Sequence, residues 1–172
     1  MNTPKYLPAD WFHPSLTLRR SPIHGQGLFA TESISAGEVV MIWGGVLYTE
    51  SNLSAGKVPS GKWSYSMIDE GLFLFAPRDA WSYFVNHSCD PNVWMADEVT
   101  VVARHTIQPD EEICGDYAVW ESKPTYNVDP CRCGSSLCRG RYTGDDWKRP
   151  ELQARYHGHF LPYLNRRIAE LV

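Results

Sequence analysis

The feature that most restricts the fold of this chain is a cluster of three cysteines within eight residues, in the segment CRCGSSLC. The chain has five cysteines, an odd number, and three so close together are poorly placed for a disulfide framework. Zinc is bound instead by four thiolate or imidazole ligands arranged as a tetrahedron. The loop can supply three of them, Cys131, Cys133 and Cys138. A fourth ligand would have to come from elsewhere, so a zinc site would pin this loop to the body of the fold.

The candidates for the fourth ligand are Cys89, Cys114 and the histidines. Cys89 lies in FVNHSCDPNVW, where six polar or metal-capable residues crowd into seven positions behind a strand-like run. Cys114 follows a strand-like pattern, and we interpret it as a small core residue. Three unrelated loop cysteines are the alternative to zinc, but buried structural cysteines are usually scattered, and the clustering favours the metal.

Composition and charge exclude several classes of protein. The 172 residues suit one domain, and 43% are hydrophobic, which is too many for a disordered chain. A net charge of −4 disfavours strong nucleic-acid binding, including a zinc-knuckle module of that kind. No apolar run is long enough to span a membrane, and the first residues do not resemble a signal peptide. With the cysteine usage, this predicts an intracellular protein.

The spacing of turn residues predicts a mainly β protein. Three prolines argue for an extended lead-in over residues 1–18. Short apolar runs between glycine, proline and aspartate turns then predict many short strands, with a loop at 51–62 and one or two helical turns at 79–85. The segment 92–107 is predicted to form a hairpin.

A helix is predicted for about residues 150–170, kinked or restarted at Pro162. We expect its apolar stripe to pack on its own domain, with a homodimer through this helix as the alternative. The stripe consists of Leu152, Tyr156, Phe160, Leu164, Ile168 and Leu171.

Three motifs stand in a fixed order along the chain: HGQGLFA at 24–30, NHSCDPN at 86–92 with EEICGDY at 111–117, and CRCGSSLC at 131–138. In this order and spacing the chain resembles the SET-domain protein lysine methyltransferases that carry a post-SET zinc loop. The resemblance covers roughly residues 17–143. The glycine pair alone is weak evidence, whereas the Asn-His-Ser-Cys-x-Pro-Asn string is highly specific.

The resemblance implies a SET-domain (β-clip-like) fold of small curved sheets, in which a C-terminal segment forms a pseudoknot. It implies a SET domain at 19–121, a post-SET cysteine loop at 122–146 and a helical extension at 147–172. In such a fold S-adenosylmethionine (SAM) binds on one face, and a substrate lysine enters from the other face through a narrow channel.

The same resemblance implies methyl transfer from SAM to a lysine of a protein or peptide substrate, and it assigns roles to individual residues. Tyr117 matches the catalytic tyrosine, and Cys89 matches the fourth ligand of a structural zinc. Taken alone, the glycine motif could be a tight hairpin turn, and Tyr117 could be a core tyrosine. The residues matched to SAM binding are His24, Gly25, Gln26, Gly27, Asn86, His87 and Tyr142.

Some positions depart from the family pattern. Ile42 stands where a channel tyrosine is usual, Gly45 replaces a glutamate, and Gly115 replaces a phenylalanine or tyrosine. The channel is therefore expected to be roomier and to permit successive methylation to the trimethyl state, unless Tyr65 or Tyr83 fills the gap. A non-catalytic SET-like module that binds SAM or a peptide is the alternative function.

Overall fold

The structure, a computed structural model, describes residues 6–58 and 60–171. Residues 1–5 of the expected lead-in and Val172 of the expected helical extension lie outside this range. Within it, short strands predominate, which confirms the mainly β prediction. The strands are β1 (Trp11–Phe12), β2 (Leu16–Arg20), β3 (Gln26–Ala30), β4 (Val39–Ile42), β5 (Val46–Thr49), β6 (Trp63–Asp69), β7 (Leu72–Pro77), β8 (Asn86–His87), β9 (Val93–Met95), β10 (Thr100–Ala103), β11 (Cys114–Gly115), β12 (Asn127–Val128) and β13 (Tyr142–Thr143).

These strands form four small sheets. The largest has six strands in the order β1-β4-β10-β9-β11-β8, and a three-stranded sheet has the order β5-β7-β6. Two ribbons, β2-β3 and β12-β13, complete the set. The predicted hairpin is confirmed, since β9 and β10 pair antiparallel.

One strand is threaded between two earlier ones. β11 lies between β8 and β9 and runs parallel to both, with Cys114 opposite Asn86 and Gly115 opposite His87. A strand from late in the chain is thus inserted beside the Asn-His segment, which is the knot-like arrangement that the resemblance implied. This insertion of β11 places Tyr117, which follows the strand, against Asn86 and His87.

The helices are short, and one of them corrects a prediction. The α-helices are α1 (Glu50–Ser54), α2 (Pro150–Arg155) and α3 (Pro162–Ala169), and 3-10 turns cover Trp81–Phe84, Tyr117–Val119 and Asp146–Lys148. The prediction of a loop from residue 51 was wrong at its start, because Thr49 and Asn52 form a capping box that begins α1. The helical turn expected at 79–85 is present. No helix among the described residues has the length and apolar character needed to cross a bilayer.

The C-terminal extension packs on its own domain. The predicted restart at Pro162 is confirmed, since α3 begins there. The Leu161 N–H donates to the Val119 carbonyl at 2.8 Å, and Arg167 pairs with Glu70 in the β6–β7 turn at 2.7 Å. Four stripe residues are buried in the same core: Leu152, Tyr156, Phe160 and Leu164.

Candidate active site

The three loop cysteines lie beside Cys89. The sulfur atoms of Cys89, Cys131, Cys133 and Cys138 all lie within 4.8 Å of one another, and those of Cys89 and Cys131 are 4.0 Å apart. Four thiolates at 2.3 Å from a tetrahedral zinc would lie about 3.8 Å apart, so the donor set and its spacing fit that ion. Cys114 is buried in β11 and is not part of this group.

Backbone N–H groups point at these sulfur atoms. The Arg139 N–H lies 3.3 Å from the Cys89 sulfur, and the Gly140 N–H lies 3.4 Å from the Cys138 sulfur. Burial raises the pKa of the Cys133 thiol, but backbone hydrogen bonds and those with the Cys131 and Cys138 side chains outweigh burial and bring that pKa to about 7. Burial raises the pKa of Cys89 and brings that of Cys131 to about 11, so of these three thiols only Cys133 favours the thiolate before a metal binds. Backbone N–H donors of this kind stabilise thiolates, the form in which cysteine binds a metal.

The Asn86 side chain holds the glycine motif in place. Its Nδ2 lies 3.2 Å from the carbonyl of His24, 3.0 Å from that of Gln26 and 2.7 Å from Oε1 of Glu112. At Gly27 a Cβ would lie 2.2 Å from that same carboxylate oxygen, so a larger residue would push the Glu112 side chain away from Asn86. Glu112 was not assigned a role from the sequence, although the EEICGDY motif contained it.

Gly25 presents open backbone at the same place. Its φ of +52° favours glycine, and a Cβ there would meet nothing within 4 Å. The structure therefore places His24, Gly25, Gln26 and Gly27 next to Asn86. Open main chain of this kind can be approached closely by a ligand.

Tyr117 contacts His87, the second residue of the Asn-His pair. Its N–H donates to Nδ1 of His87 at 3.2 Å, and its hydroxyl donates to the Val85 carbonyl at 2.7 Å. Burial lowers the pKa of His87 to about 4, so the imidazole is neutral at pH 7. A neutral ring that accepts at Nδ1 carries its proton on Nε2, which lies 3.4 Å from the Cys89 sulfur. Burial raises the pKa of Tyr117, and the phenol stays protonated.

Tyr142 lies in the same aromatic cluster. It is fully buried, stacks on His87 with ring centroids 5.0 Å apart and meets Tyr117 edge-on at 5.5 Å. Its hydroxyl has no hydrogen-bond partner among the described residues. An unsatisfied buried hydroxyl is costly, and a bound ligand could supply the missing partner.

Tyr117 also lines a cavity of about 940 Å³. Aromatic side chains form much of its wall beside Tyr117, including Trp43, Trp120 and Tyr126. Tyr65 and Tyr83 line it as well, but each is 49% exposed, so they lie at its rim. Tyr117 is therefore next to both the Asn-His pair and this cavity.

A buried ion-pair network joins the three parts of the site. Asp116, directly before Tyr117, is completely buried and accepts two hydrogen bonds from Arg139, at 2.6 and 2.9 Å. Arg139 also donates to Asp146 at 3.0 Å, and the Tyr156 hydroxyl donates to Asp116 at 3.0 Å. The sequence showed only an arginine after the last loop cysteine, and nothing local indicated its partners.

Comparison with known proteins agrees with this fold. The family model described as SET domain matches residues 25–118. A histone-lysine N-methyltransferase, H3 lysine-4 specific, from Cryptococcus neoformans var. neoformans is 34% identical over 139 residues, covering 73% of this chain and 9% of that protein. Histone-lysine N-methyltransferase trithorax of Drosophila virilis is 34% identical over 134 residues, covering 70% of this chain and 3% of that protein.

The crystal structure of the methyltransferase domain of human Histone-lysine N-methyltransferase SETMAR has the same fold, with a TM-score of 0.56 and 22% sequence identity. That alignment covers 76% of this chain and 57% of the other. A knotted, mainly β fold of this kind defines the class of protein. The chain belongs to the SET-domain family.

Proposed function

We propose that this chain is a SAM-dependent protein-lysine N-methyltransferase that acts on a protein or peptide substrate inside the cell. The observation that carries the proposal is the position of Tyr117, which contacts His87 and also lines the large cavity. Because several relatives are named for histone lysines, a histone is the first substrate to try.

The residues matched to SAM fit such a ligand. Tyr142 stacks on His87, and its hydroxyl has no partner among the described residues. The glycine motif, with its open backbone at Gly25, is held beside the same segment by Asn86. When bound, SAM supplies a methyl group on a positively charged sulfonium. In this proposal the main chain of the glycine motif and of Asn86 and His87 binds it, and Tyr142 covers it.

The cavity residues would prepare the lysine amine. A free lysine has a pKa of about 10.4 and must lose its proton before the nitrogen can form a new bond. The aromatic rings beside Tyr117 disfavour the charged ammonium there and so lower that pKa, whereas lining carboxylates such as Glu121 favour the charged form. The neutral Tyr117 hydroxyl and the carbonyl beside it provide fixed dipoles where the amine and the methyl group meet. We assign no dedicated general base.

Zinc would have a structural role. Four cysteines fill a tetrahedral site and leave no open position for chemistry. The ion would hold the cysteine loop against Cys89 and thereby keep Arg139 and Tyr142 in place beside the catalytic tyrosine.

We expect one zinc ion per chain, measured by elemental analysis of protein purified without chelators. Cys89→Ala should lower the content at least severalfold, because three remaining thiolates leave the ion incompletely held. Cys114→Ala is the matched control and should keep the ion, since Cys114 lies outside the cluster. Metal-free wild type, or equal loss in both variants, would contradict the zinc site.

Two measurements test the proposed function. Calorimetric titration should detect SAM binding at about one site per chain. Incubation with methyl-labelled SAM, first with recombinant histones and then with a whole-protein mixture, should label lysine side chains. Binding without any transfer would favour the non-catalytic module, and absence of SAM binding would contradict the methyltransferase and leave only a module that binds a peptide.

A further inference from the structure

The space left by Gly115 is occupied by another residue. A Cβ built on Gly115 would lie 1.9 Å from the tip of the Trp120 six-membered ring and within 2.8 Å of two more of its atoms. The indole therefore rests directly on the glycine backbone. Gly115 and Trp120 are a dependent pair, because no larger residue fits at 115 while the indole is in place. The roomier channel expected from Gly115 is thus not found at this position.

Trp120 is also part of the cavity wall beside the catalytic tyrosine. Its ring centroid lies 5.7 Å from that of Tyr117 and 5.6 Å from that of Trp43, which it meets edge to face. All three side chains line the cavity. The 3-10 turn at Tyr117–Val119 brings this about, because it reverses the chain after β11 and returns Trp120 over Gly115. Tyr65 and Tyr83, the candidates from sequence, lie at the exposed rim instead.

We propose that Trp120 sets the size of the pocket that receives the lysine nitrogen and thereby limits how many methyl groups it can accept. The inference rests on the proposed function. Each transfer replaces one hydrogen on the nitrogen with a methyl group, consumes one SAM and releases one proton. The methylated nitrogen must still rotate to present its lone pair, so each round needs more room beside Tyr117. Trp120 meets both Tyr117 and Trp43 and occupies part of that space.

The test is mass spectrometry of the lysine that the wild type labels, with recombinant histone H3 as the first acceptor and enzyme in excess. The wild type is expected to stop short of trimethyl-lysine. Trp120→Ala removes the indole and should add at least one methyl group, raising the fraction of the highest product about tenfold. Trp120→Phe keeps a ring and should stay close to the wild-type distribution. Trp94→Ala is the control, because it removes the same side-chain atoms from a tryptophan that stacks on His159 and does not line the cavity. It should leave the product distribution unchanged.

The outcomes separate the two proposals. A wild type that transfers no methyl group to any protein overturns the proposed function and this inference with it. Transfer that already reaches trimethyl-lysine, or a distribution that Trp120→Ala leaves unchanged, overturns the inference alone.

A packing experiment checks the contact independently of catalysis. Gly115→Ala should lower the melting temperature by about 5 °C in the wild-type background, because the added methyl group overpacks the indole. In the Trp120→Ala background the same substitution should cost little. Equal effects in both backgrounds would show that Trp120 does not occupy the space over Gly115.

Discussion

Tyr117→Phe is expected to reduce methyl transfer by about a hundredfold or more, since the loss of a single preorganised polar group at a reaction centre has effects of that size. The hydroxyl lost is the one held at 2.7 Å from the Val85 carbonyl, between the Asn-His segment and the cavity. The ring remains, so its contacts with His87 and Tyr142 should keep the fold intact. The rate of label incorporation at saturating SAM measures the effect.

Tyr48→Phe is the matched control. It also removes one phenolic hydroxyl, but from a ring that packs on Phe75. Tyr48 lies in the β5-β7-β6 sheet, which contains none of the residues matched to SAM binding. That variant should keep wild-type transfer, and both variants should melt within a few degrees of the wild type. A Tyr117→Phe protein that retains transfer within about threefold would mean that the hydroxyl is not part of the chemistry.

Arg139→Met is expected to lower the free energy of unfolding by about 3–5 kcal/mol, the usual loss when one partner of a buried ion pair is removed. Asp116 is completely buried, and without Arg139 its carboxylate would keep only weaker partners such as the Tyr156 hydroxyl. For a chain of this length the melting temperature should fall by about 6–20 °C. Because Asp116 precedes Tyr117, transfer should fall as well.

The comparison is Arg19→Met, which breaks an exposed pair with Asp110 at 2.8 Å. Exposed pairs contribute about 1 kcal/mol at most, so this variant should melt close to the wild type. If Arg139→Met were no more destabilised than Arg19→Met, the buried ion pair with Asp116 would not be a main contributor to stability. Denaturant unfolding of both proteins with zinc present separates the two results.

Much of the fold could be predicted because its signals are local. Turn residues at short intervals marked most of the strands, and Pro162 marked the restart of the final helix. The helix at Glu50–Ser54 was missed because its signal is a single capping box within a polar segment. The resemblance implied a pseudoknot, but the order β8-β11-β9 was not predicted, since no periodicity encodes which strands become neighbours.

The candidate site divides in the same way. Cysteine spacing indicated thiolate ligands because that chemistry resides in the residue type itself, whereas the SAM-binding role of the glycine pair and of the Asn-His segment was implied by the resemblance. The contacts of Trp120 with Gly115 and of Arg139 with Asp116 could not be read from the chain. They depend on how side chains fill space after the strands are threaded, and close packing, unlike hydrophobic patterning, leaves no periodic trace in a sequence.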